Sequence, residues 1–200
     1  MHQEIEIEFK NILTKDEFVR LVSTFQHANL EKMTQINHYL DTNDFQLKQH
    51  GSALRIREKN GTYQLTLKQP AHEGLLETHE NIDQATMKRI MNEGKLVPGT
   101  ISSILEKEFS IDPTSVEYFG SLTTNRIQLP YENGILVLDE STYLGYTDYE
   151  LELEVPSYEA GKKLFEDLLL KEEIPFRKTK NKIVRFYEKK MRESESSNES

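Results

Sequence analysis

Six segments of this chain alternate apolar and polar side chains with a period of two, and this pattern restricts the fold more than any other feature of the sequence. In the first, EIEIEFK at residues 4–10, Ile5, Ile7 and Phe9 fall on one face and four charged residues on the other. The other five segments are residues 53–58, 63–69, 75–80, 124–129 and 148–155. Because successive side chains of a β-strand point to opposite faces, the pattern predicts strands with one apolar and one polar face.

Turn and capping signals indicate how these strands are connected. Asn60-Gly61 and Asn133-Gly134 each lie between two strand-like runs, and Asn-Gly is the dipeptide that tight β-hairpins favour. Thr14 followed by Glu17 forms a capping box that predicts a helix start. Further helices are predicted at 83–94, 100–108 and 157–174, and a last strand at 178–188. We therefore expect about eight strands, mostly joined by hairpins, with helices inserted between them.

Composition excludes several classes of protein. The chain has 200 residues, no cysteine and a formal net charge of -9, so disulfides and thiolate metal sites are ruled out and binding to a nucleic acid polymer is not expected. It contains no apolar run near 18 residues and no secretory signal, which predicts a cytoplasmic protein without a membrane partner. We expect one domain over residues 1–190 and a disordered polar tail over residues 191–200.

The polar faces of the predicted strands concentrate charge of a single sign. Glutamates alternate at residues 4–8 and again at residues 150–154, whereas Arg55 and Arg57 share the face of another strand. The ordinary explanation is an antiparallel sheet with one face in water. Solubility alone, however, favours surfaces on which both signs are interspersed. The blocks of like charge therefore leave a second interpretation open.

In that second interpretation the strands close into a barrel with the charged faces inside. Eight strands enclose a space that side chains or one small ligand can fill, and buried charges of both signs then need partners. Carboxylates are hard oxygen ligands suited to Mg²⁺ or Mn²⁺, and arginine and lysine bind phosphate oxygens. A metal-bound oligophosphate would satisfy both sets of charges.

A series of motifs in chain order resembles one known family. The motifs are EIEFK with Glu6, Glu8 and Lys10, YLDT at 39–42, ALRIR at 53–57, LTLK at 65–68, Arg126, LDESTYLGYTDYELELEV at 138–155 and NKIVRFYE at 181–188. Together they are similar to the CYTH superfamily, also called triphosphate tunnel metalloenzymes, over residues 3–188. The first motif alone arises by chance, whereas the ordered set is specific.

The resemblance implies an all-β or α+β fold, an eight-stranded antiparallel β-barrel that forms a triphosphate tunnel with helices packed outside. It also implies Mg²⁺ or Mn²⁺ as the cofactor. The residues expected to bind metal and act in catalysis are Glu6, Glu8, Glu152 and Glu154. The residues expected to bind substrate are Lys10, Arg55, Arg57, Lys68, Arg126, Lys180 and Arg185. Further candidates for the site are Glu4, Glu77, His79, Asp139, Glu150 and Lys178.

The activity that the resemblance implies is hydrolysis of inorganic triphosphate or a small organic triphosphate such as thiamine triphosphate. Two alternatives stay open: an adenylate cyclase-type reaction on ATP, and a non-catalytic binder of polyphosphate or nucleotide. The chain departs from the family at Leu75-Leu76, which precede Glu77 where many members carry an arginine, so one expected phosphate ligand is missing. His79 shares the face of Glu77 and is either structural or a proton carrier. A homodimer is expected from the resemblance alone.

Overall fold

The computed structural model describes residues 2–198, with side chains as far as residue 192. The strands are β1 (His2–Glu6), β2 (Glu8–Leu13), β3 (Glu31–Thr42), β4 (Ala53–Lys59), β5 (Thr62–Pro70), β6 (Leu75–Ile82), β7 (Val116–Tyr131), β8 (Gly134–Tyr143) and β9 (Tyr146–Glu154). The helices are α1 (Lys15–Thr24), α2 (Gln46–Gln49), α3 (Gln84–Glu93), α4 (Thr100–Phe109), α5 (Tyr158–Lys171) and α6 (Lys182–Asn198), with a 3₁₀ turn at Pro113–Ser115. No helix within these described residues is long and apolar enough to cross a membrane.

The strands form one sheet in the order β1-β6-β5-β4-β3-β7-β8-β9-β2. The strand predicted at residues 4–10 divides at Ile7 into β1 and β2, and the structure has nine strands where about eight were expected. On one side of Ile7, β1 pairs antiparallel with β6, so that Glu4 lies opposite Glu77. On the other side, β2 pairs antiparallel with β9, so that Lys10 lies opposite Glu152.

Both predicted hairpins are present, but their glycines act differently. Asn60 and Gly61 have φ values of 50° and 73°, the left-handed backbone that a type I′ turn requires. The second hairpin turns one residue earlier than its Asn-Gly pair suggests, because Gly134 already lies opposite Tyr131 in the β7–β8 ladder. A Cβ at Gly134 would lie 2.5 Å from the carbonyl oxygen of Glu154. This glycine therefore permits a close approach of two strands.

Residue contacts divide the chain into two compact units, each with its own apolar core. Unit 1 comprises Met1–Glu6 and Thr34–Ser121, and unit 2 comprises Ile7–Met33 and Leu122–Ser200. In unit 1, α3 contacts β5 and α4 contacts β6, and the buried residues include Leu65, Leu67, Ile90, Ile101 and Leu105. In unit 2, α1 and α5 contact β2 and β9, and the buried residues include Leu21, Leu151, Leu153, Phe165 and Leu168. Helices thus bury the apolar strand faces, as the alternation predicts. The single domain over residues 1–190 stays a prediction.

The predicted strand at 178–188 is wrong, because residues from Lys182 onward form helix α6. The buried side chains Ile183, Phe186 and Tyr187 recur at helical spacing. The β-branched pair Ile183-Val184 beside two aromatic residues resembles a strand in composition, but the period of burial is that of a helix. The helix continues to Asn198, through most of the segment expected to be a disordered tail, and residues 199 and 200 lie outside the described part of the chain.

Candidate functional site

One face of the β7–β8–β9 ladder in unit 2 carries a buried network of ion pairs. Arg126 lies opposite Asp139 in the ladder, and its guanidinium donates to both carboxylate oxygens of Asp139, at 2.8 and 2.7 Å. The same guanidinium donates to Oε2 of Glu152 at 2.8 Å and lies 3.6 Å from Oε1 of Glu154. Burial lowers the pKa of Arg126, but the carboxylates of Asp139 and Glu152 outweigh this and raise it well above its usual value.

Helix α6 adds two cations to this network. The ammonium of Lys182 lies 2.9 Å from Asp139 and also contacts Glu150 and Glu152. One turn later, Arg185 contacts Glu150 and lies 2.9 Å from Asp148. Because residues three apart lie on one face of a helix, Lys182 and Arg185 reach the same strand, β9. Burial lowers the pKa of Lys182, but the carboxylates of Asp139, Glu150 and Glu152 outweigh burial and raise the pKa well above its usual value.

The two central glutamates of β9 have opposite pKa shifts. Burial, reinforced by the like charge of Glu152, raises the pKa of Glu150 to about 7, although Lys182 and Arg185 act against the shift. For Glu152, burial is outweighed by Lys182 and Arg126, which hold its pKa well below its usual value. The pair can therefore keep one negative charge and one proton near neutral pH.

Strand β2 contributes Glu8 and Lys10 to the same face of unit 2. Glu8 lies opposite Glu154 and Lys10 lies opposite Glu152 in the β2–β9 pairing. The ammonium of Lys10 contacts Glu8 and donates to Oδ1 of Asn181 at 2.7 Å. Burial lowers the pKa of Lys10, but Glu8 and Glu152 more than reverse this effect, so the lysine stays charged.

This network contains more carboxylates than cations, which bears on whether a divalent metal fits. Six carboxylates face four cations, which leaves a formal charge of −2 with all carboxylates ionised and −1 when Glu150 holds a proton; the set is Glu8, Asp139, Asp148, Glu150, Glu152, Glu154, Lys10, Arg126, Lys182 and Arg185. Like charges opposite each other in a sheet are destabilising, and Glu8 and Glu154 are such a pair. Their oxygens are the donors that Mg²⁺ and Mn²⁺ prefer. Both the donor set and the missing positive charge therefore fit one divalent cation.

Unit 1 holds a second ionic cluster, centred on Glu77. Lys68 lies opposite Glu77 in the β5–β6 ladder and contacts it, and the Lys68 ammonium also donates to Oε2 of Glu6 at 2.5 Å. Arg55 lies 3.9 Å from the other oxygen of Glu77. Burial opposes ionisation of Glu77, but Arg55 and Lys68 outweigh it and lower the pKa to about 2. The guanidinium of Arg57 donates to Oδ1 of Asn37 at 3.0 Å.

Histidine 79 extends the cluster of unit 1 toward the N-terminal strand. Its Nε2 lies 3.2 Å from Oε1 of Glu4 and 3.3 Å from Oε2 of Glu77. Its Nδ1 lies 3.0 Å from the hydroxyl of Thr66. The sequence candidates Glu4, Glu6, Glu77, His79 and Lys68 are thus brought together within unit 1.

Two residues that the sequence analysis proposed for the site do not join either ionic cluster through their side chains, and two residues of the unit 2 cluster were not predicted. Lys178 is exposed, and the ammonium of Lys180 lies 2.6 Å from Glu188 with 60% of its side chain exposed. Lys182 and Asp148 were missed, although the three-residue spacing of Lys182 and Arg185 is a helical signal. Asp41 of the YLDT motif has a structural contact, because its carboxylate accepts from the backbone N–H groups of Leu47 and Lys48.

Comparison with known proteins agrees with these features. Residues 4–187 match the CYTH domain family model. The chain is 50% identical over 191 residues to a Bacillus subtilis protein named "putative triphosphatase YjbK", a match that covers 95% of this chain and 98% of that protein. It is similar in structure to a Bacillus halodurans protein named "putative adenylate cyclase", with a TM-score of 0.87, 40% identity and coverage of 94% and 100%.

A Hippeastrum protein is a third relative, with a TM-score of 0.74, 27% identity and coverage of 92% of this chain and 96% of that one. It is named "putative adenylyl cyclase" and described as having a dominant triphosphatase activity. These structural likenesses confirm the predicted fold class, an all-β or α+β fold built on antiparallel strands with helices outside. The sheet has nine strands where the predicted barrel had eight. The family match spans nearly all of the chain and both ionic clusters. On this evidence the chain belongs to the CYTH domain family.

Proposed function

We propose that this protein is a divalent-metal-dependent hydrolase of triphosphates. The observation that carries the proposal is the ionic face of unit 2, where buried arginine and lysine side chains lie among a surplus of carboxylates. Such a face can hold a metal ion and phosphate oxygens at once, because guanidinium and ammonium groups bind the oxygens while carboxylates bind the metal. The triphosphatase name of the Bacillus subtilis relative and the activity described for the Hippeastrum relative support hydrolysis.

Glu8 and Glu154 are the residues whose geometry best suits them to hold the metal. They lie opposite each other, and the side chain of Glu154 is 32% exposed, so an ion can enter. Both oxygens of Glu152 are already in contact with Lys182 and Arg126. We assign Glu152 as a further ligand of this metal, and Glu6 of unit 1 as a separate candidate metal ligand. Both must first release the cations that they contact. When bound, Mg²⁺ or Mn²⁺ would supply charge neutralisation at the phosphates and activation of water.

The basic residues would bind the triphosphate by exchanging acceptors. In the structure Lys10, Arg126 and Lys68 are paired with carboxylates. A phosphate oxygen can replace a carboxylate oxygen at such a donor without loss of a charge-assisted hydrogen bond. Arg55 and Arg57 of unit 1 and Arg185 of unit 2 are assigned the same role. Hydrolysis of a phosphoanhydride depends mainly on positioning and charge stabilisation, and both are within the capacity of these side chains.

An adenylate cyclase-type reaction on ATP is the second candidate, supported by the name of the Bacillus halodurans relative. The two reactions differ in their products. Hydrolysis releases phosphate from the terminal position, whereas cyclisation releases pyrophosphate and a cyclic nucleotide. A non-catalytic binder of polyphosphate or nucleotide would release neither.

The test is release of phosphate from inorganic triphosphate, ATP and thiamine triphosphate, with Mg²⁺, with Mn²⁺ and with a chelator. We expect metal-dependent release that Glu8→Gln abolishes, and weaker triphosphate binding in Arg57→Ala. Glu117→Gln, which changes an exposed glutamate, is the matched control. Equal activity in all variants would refute the proposed site, and cyclic nucleotide as the main product would establish the second candidate.

Localisation and assembly are separate proposals. We propose a cytoplasmic protein that forms a homodimer and binds no nucleic acid polymer, on the basis of composition and family resemblance. Light scattering of the full chain measures the mass and tests the homodimer directly.

A further inference from the structure

Three side chains that can bind metal converge in unit 1, and none of the three is among the metal ligands assigned above. The potential ligand atoms of Glu4, Glu77 and His79 all lie within 4.8 Å of one another. The sheet register accounts for this, because Glu4 lies opposite Glu77 and His79 follows Glu77 by two residues on the same face. The arrangement is therefore a consequence of strand pairing and does not depend on a mobile loop.

The hydroxyl of Thr66 orients the ring of His79 for coordination. It lies 3.0 Å from Nδ1, and this contact directs Nε2 toward the two carboxylates. Metal-binding histidines commonly use the second ring nitrogen for such a hydrogen bond, which fixes the tautomer and the ring orientation. When a metal ion takes the place of the proton on Nε2, Nδ1–H can donate to Thr66, and the lone pair of Nε2 then lies beside the two carboxylates. Three electron-pair donors in that arrangement attract a cation.

The cluster has a buried base and an open side. His79 is 7% exposed and Glu77 is 4% exposed, whereas the side chain of Glu4 is 54% exposed. The ring of His2 stacks on that of His79 at a centroid distance of 6.1 Å, and its Nε2 lies 3.1 Å from Oε2 of Glu4. An ion can therefore enter from the side of Glu4, with His2 close enough to act as a further ligand.

The neighbouring cations determine which ion the cluster can hold. Lys68 and Arg55 already neutralise Glu77, so the site offers little net negative charge. Mg²⁺ depends on carboxylate charge and retains its water, whereas divalent transition ions gain from an imidazole nitrogen. We propose that Glu4, Glu77 and His79 form a binding site for a divalent transition-metal ion such as Co²⁺ or Zn²⁺, distinct from the carboxylates of unit 2.

The test is binding of Co²⁺ alone to the full chain, without triphosphate, followed by equilibrium dialysis and by visible absorption of the bound ion. We expect His79→Gln and Glu4→Gln each to weaken this binding by roughly tenfold or more. Glu8→Gln removes a carboxylate of unit 2 and so lowers only the Co²⁺ bound there; it should leave the visible absorption of the ion bound through His79 unchanged. The control His72→Gln, in an exposed position, should change neither quantity. An equal concentration of Mg²⁺ should not displace the ion. Binding of Zn²⁺ should also shift the NMR signals of the His79 ring and leave those of His72 in place.

Glu4→Gln keeps the test valid if His79→Gln fails to fold. Glu4 is exposed, so its replacement leaves no buried charge without a partner, whereas His79 is buried. Equal Co²⁺ affinity in all variants, or loss only in Glu8→Gln, would overturn the site. Because the measurement contains no triphosphate, this result is separate from the proposed hydrolysis, which the phosphate-release assay tests.

Discussion

Lys182 shows how much a single side chain contributes to the ionic face of unit 2. Its ammonium is close to three carboxylates, those of Asp139, Glu150 and Glu152, and two of these are fully or almost fully buried. Removing one partner of a buried ion network lowers the free energy of unfolding by more than the whole network contributes to it, because the remaining charges stay buried without compensation. The residue therefore matters for stability as well as for charge balance.

We expect Lys182→Met to lower the free energy of unfolding by about 3–5 kcal/mol, because it leaves this buried carboxylate cluster with one cation fewer. Lys180→Met is the matched control. Lys180 is 60% exposed and pairs with the half-exposed Glu188, so its removal should change stability by about 0.5 kcal/mol or less. Urea denaturation of both variants measures the difference. Similar effects from the two substitutions would contradict the assignment of Lys182 to the buried network.

Glu77 gives a prediction about stability and pH. Its pKa in the folded protein is about 2, against a usual value of 4.5. A lowered pKa stabilises the fold while the carboxylate is ionised, so the contribution is complete above pH 4.5 and is lost as the pH falls toward 2. Glu77→Gln should therefore be less stable than the unmodified protein by about 3 kcal/mol at neutral pH, a value derived from the pKa difference.

The measurement is denaturant unfolding of Glu77→Gln and the unmodified protein from pH 7 down to pH 3. The stability difference should narrow steadily below pH 4.5. The exposed Glu73 provides the control, since Glu73→Gln should change stability little at any pH. A difference that stays constant with pH would show that Arg55 and Lys68 do not hold the charge of Glu77.

Among the helices and strands, local sequence patterns predicted the structure correctly where one hydrophobic period dominated. They failed where residue composition favoured a strand and the period of buried residues favoured a helix. The Asn60-Gly61 hairpin and the capping box at Thr14 appear as predicted, since both depend on short-range chemistry. The split of the first strand at Ile7 could not be predicted, because it depends on pairing with two strands far away in the sequence. Helix α6 was predicted as a strand, since its β-branched and aromatic residues favour a strand by propensity while their burial follows a helix.

Helix α6 can be tested by comparing two of its residues. Phe186 is 1% exposed and Val184 is only partly buried, although in a strand both would lie on the same face. We expect Phe186→Ala to cost about 3–5 kcal/mol and Val184→Ala about 1 kcal/mol or less. Chemical denaturation measures both. Equal, large losses would favour a strand in this segment.

Across the molecule, the sequence predicted that acidic and basic residues contact each other in the site. It did not predict every residue that takes part in these contacts. Arg126 and Glu152 were expected at one site, and they are in direct contact within unit 2. Lys182 could not be assigned, because its approach to β9 depends on the path of α6, which the predicted strand did not allow. Likewise, the close approach of Glu4, Glu77 and His79 depends on how β1 is aligned with β6. An alternation with a period of two does not determine that strand register.

The charge of the molecule leads to a last prediction, about ligand binding. The chain carries a net charge of -9, and the network of unit 2 already has more carboxylates than cations, so a free triphosphate meets repulsion both at long range and on contact. Mg²⁺ removes part of that repulsion at the carboxylates and part at the phosphates. We therefore expect triphosphate and Mg²⁺ together to raise the melting temperature by more than the sum of their separate effects.

A ligand that binds only the folded state at 100 times its Kd adds about 2.7 kcal/mol of stability, so the shift should be measurable by calorimetry, with slowly hydrolysed imidotriphosphate as the probe. In Glu8→Gln the extra increment should disappear while the effect of the probe alone remains, whereas Glu117→Gln should behave like the unmodified protein. Additive shifts in the unmodified protein would mean that metal and triphosphate bind independently, and the metal would then have to be removed from the proposed mechanism.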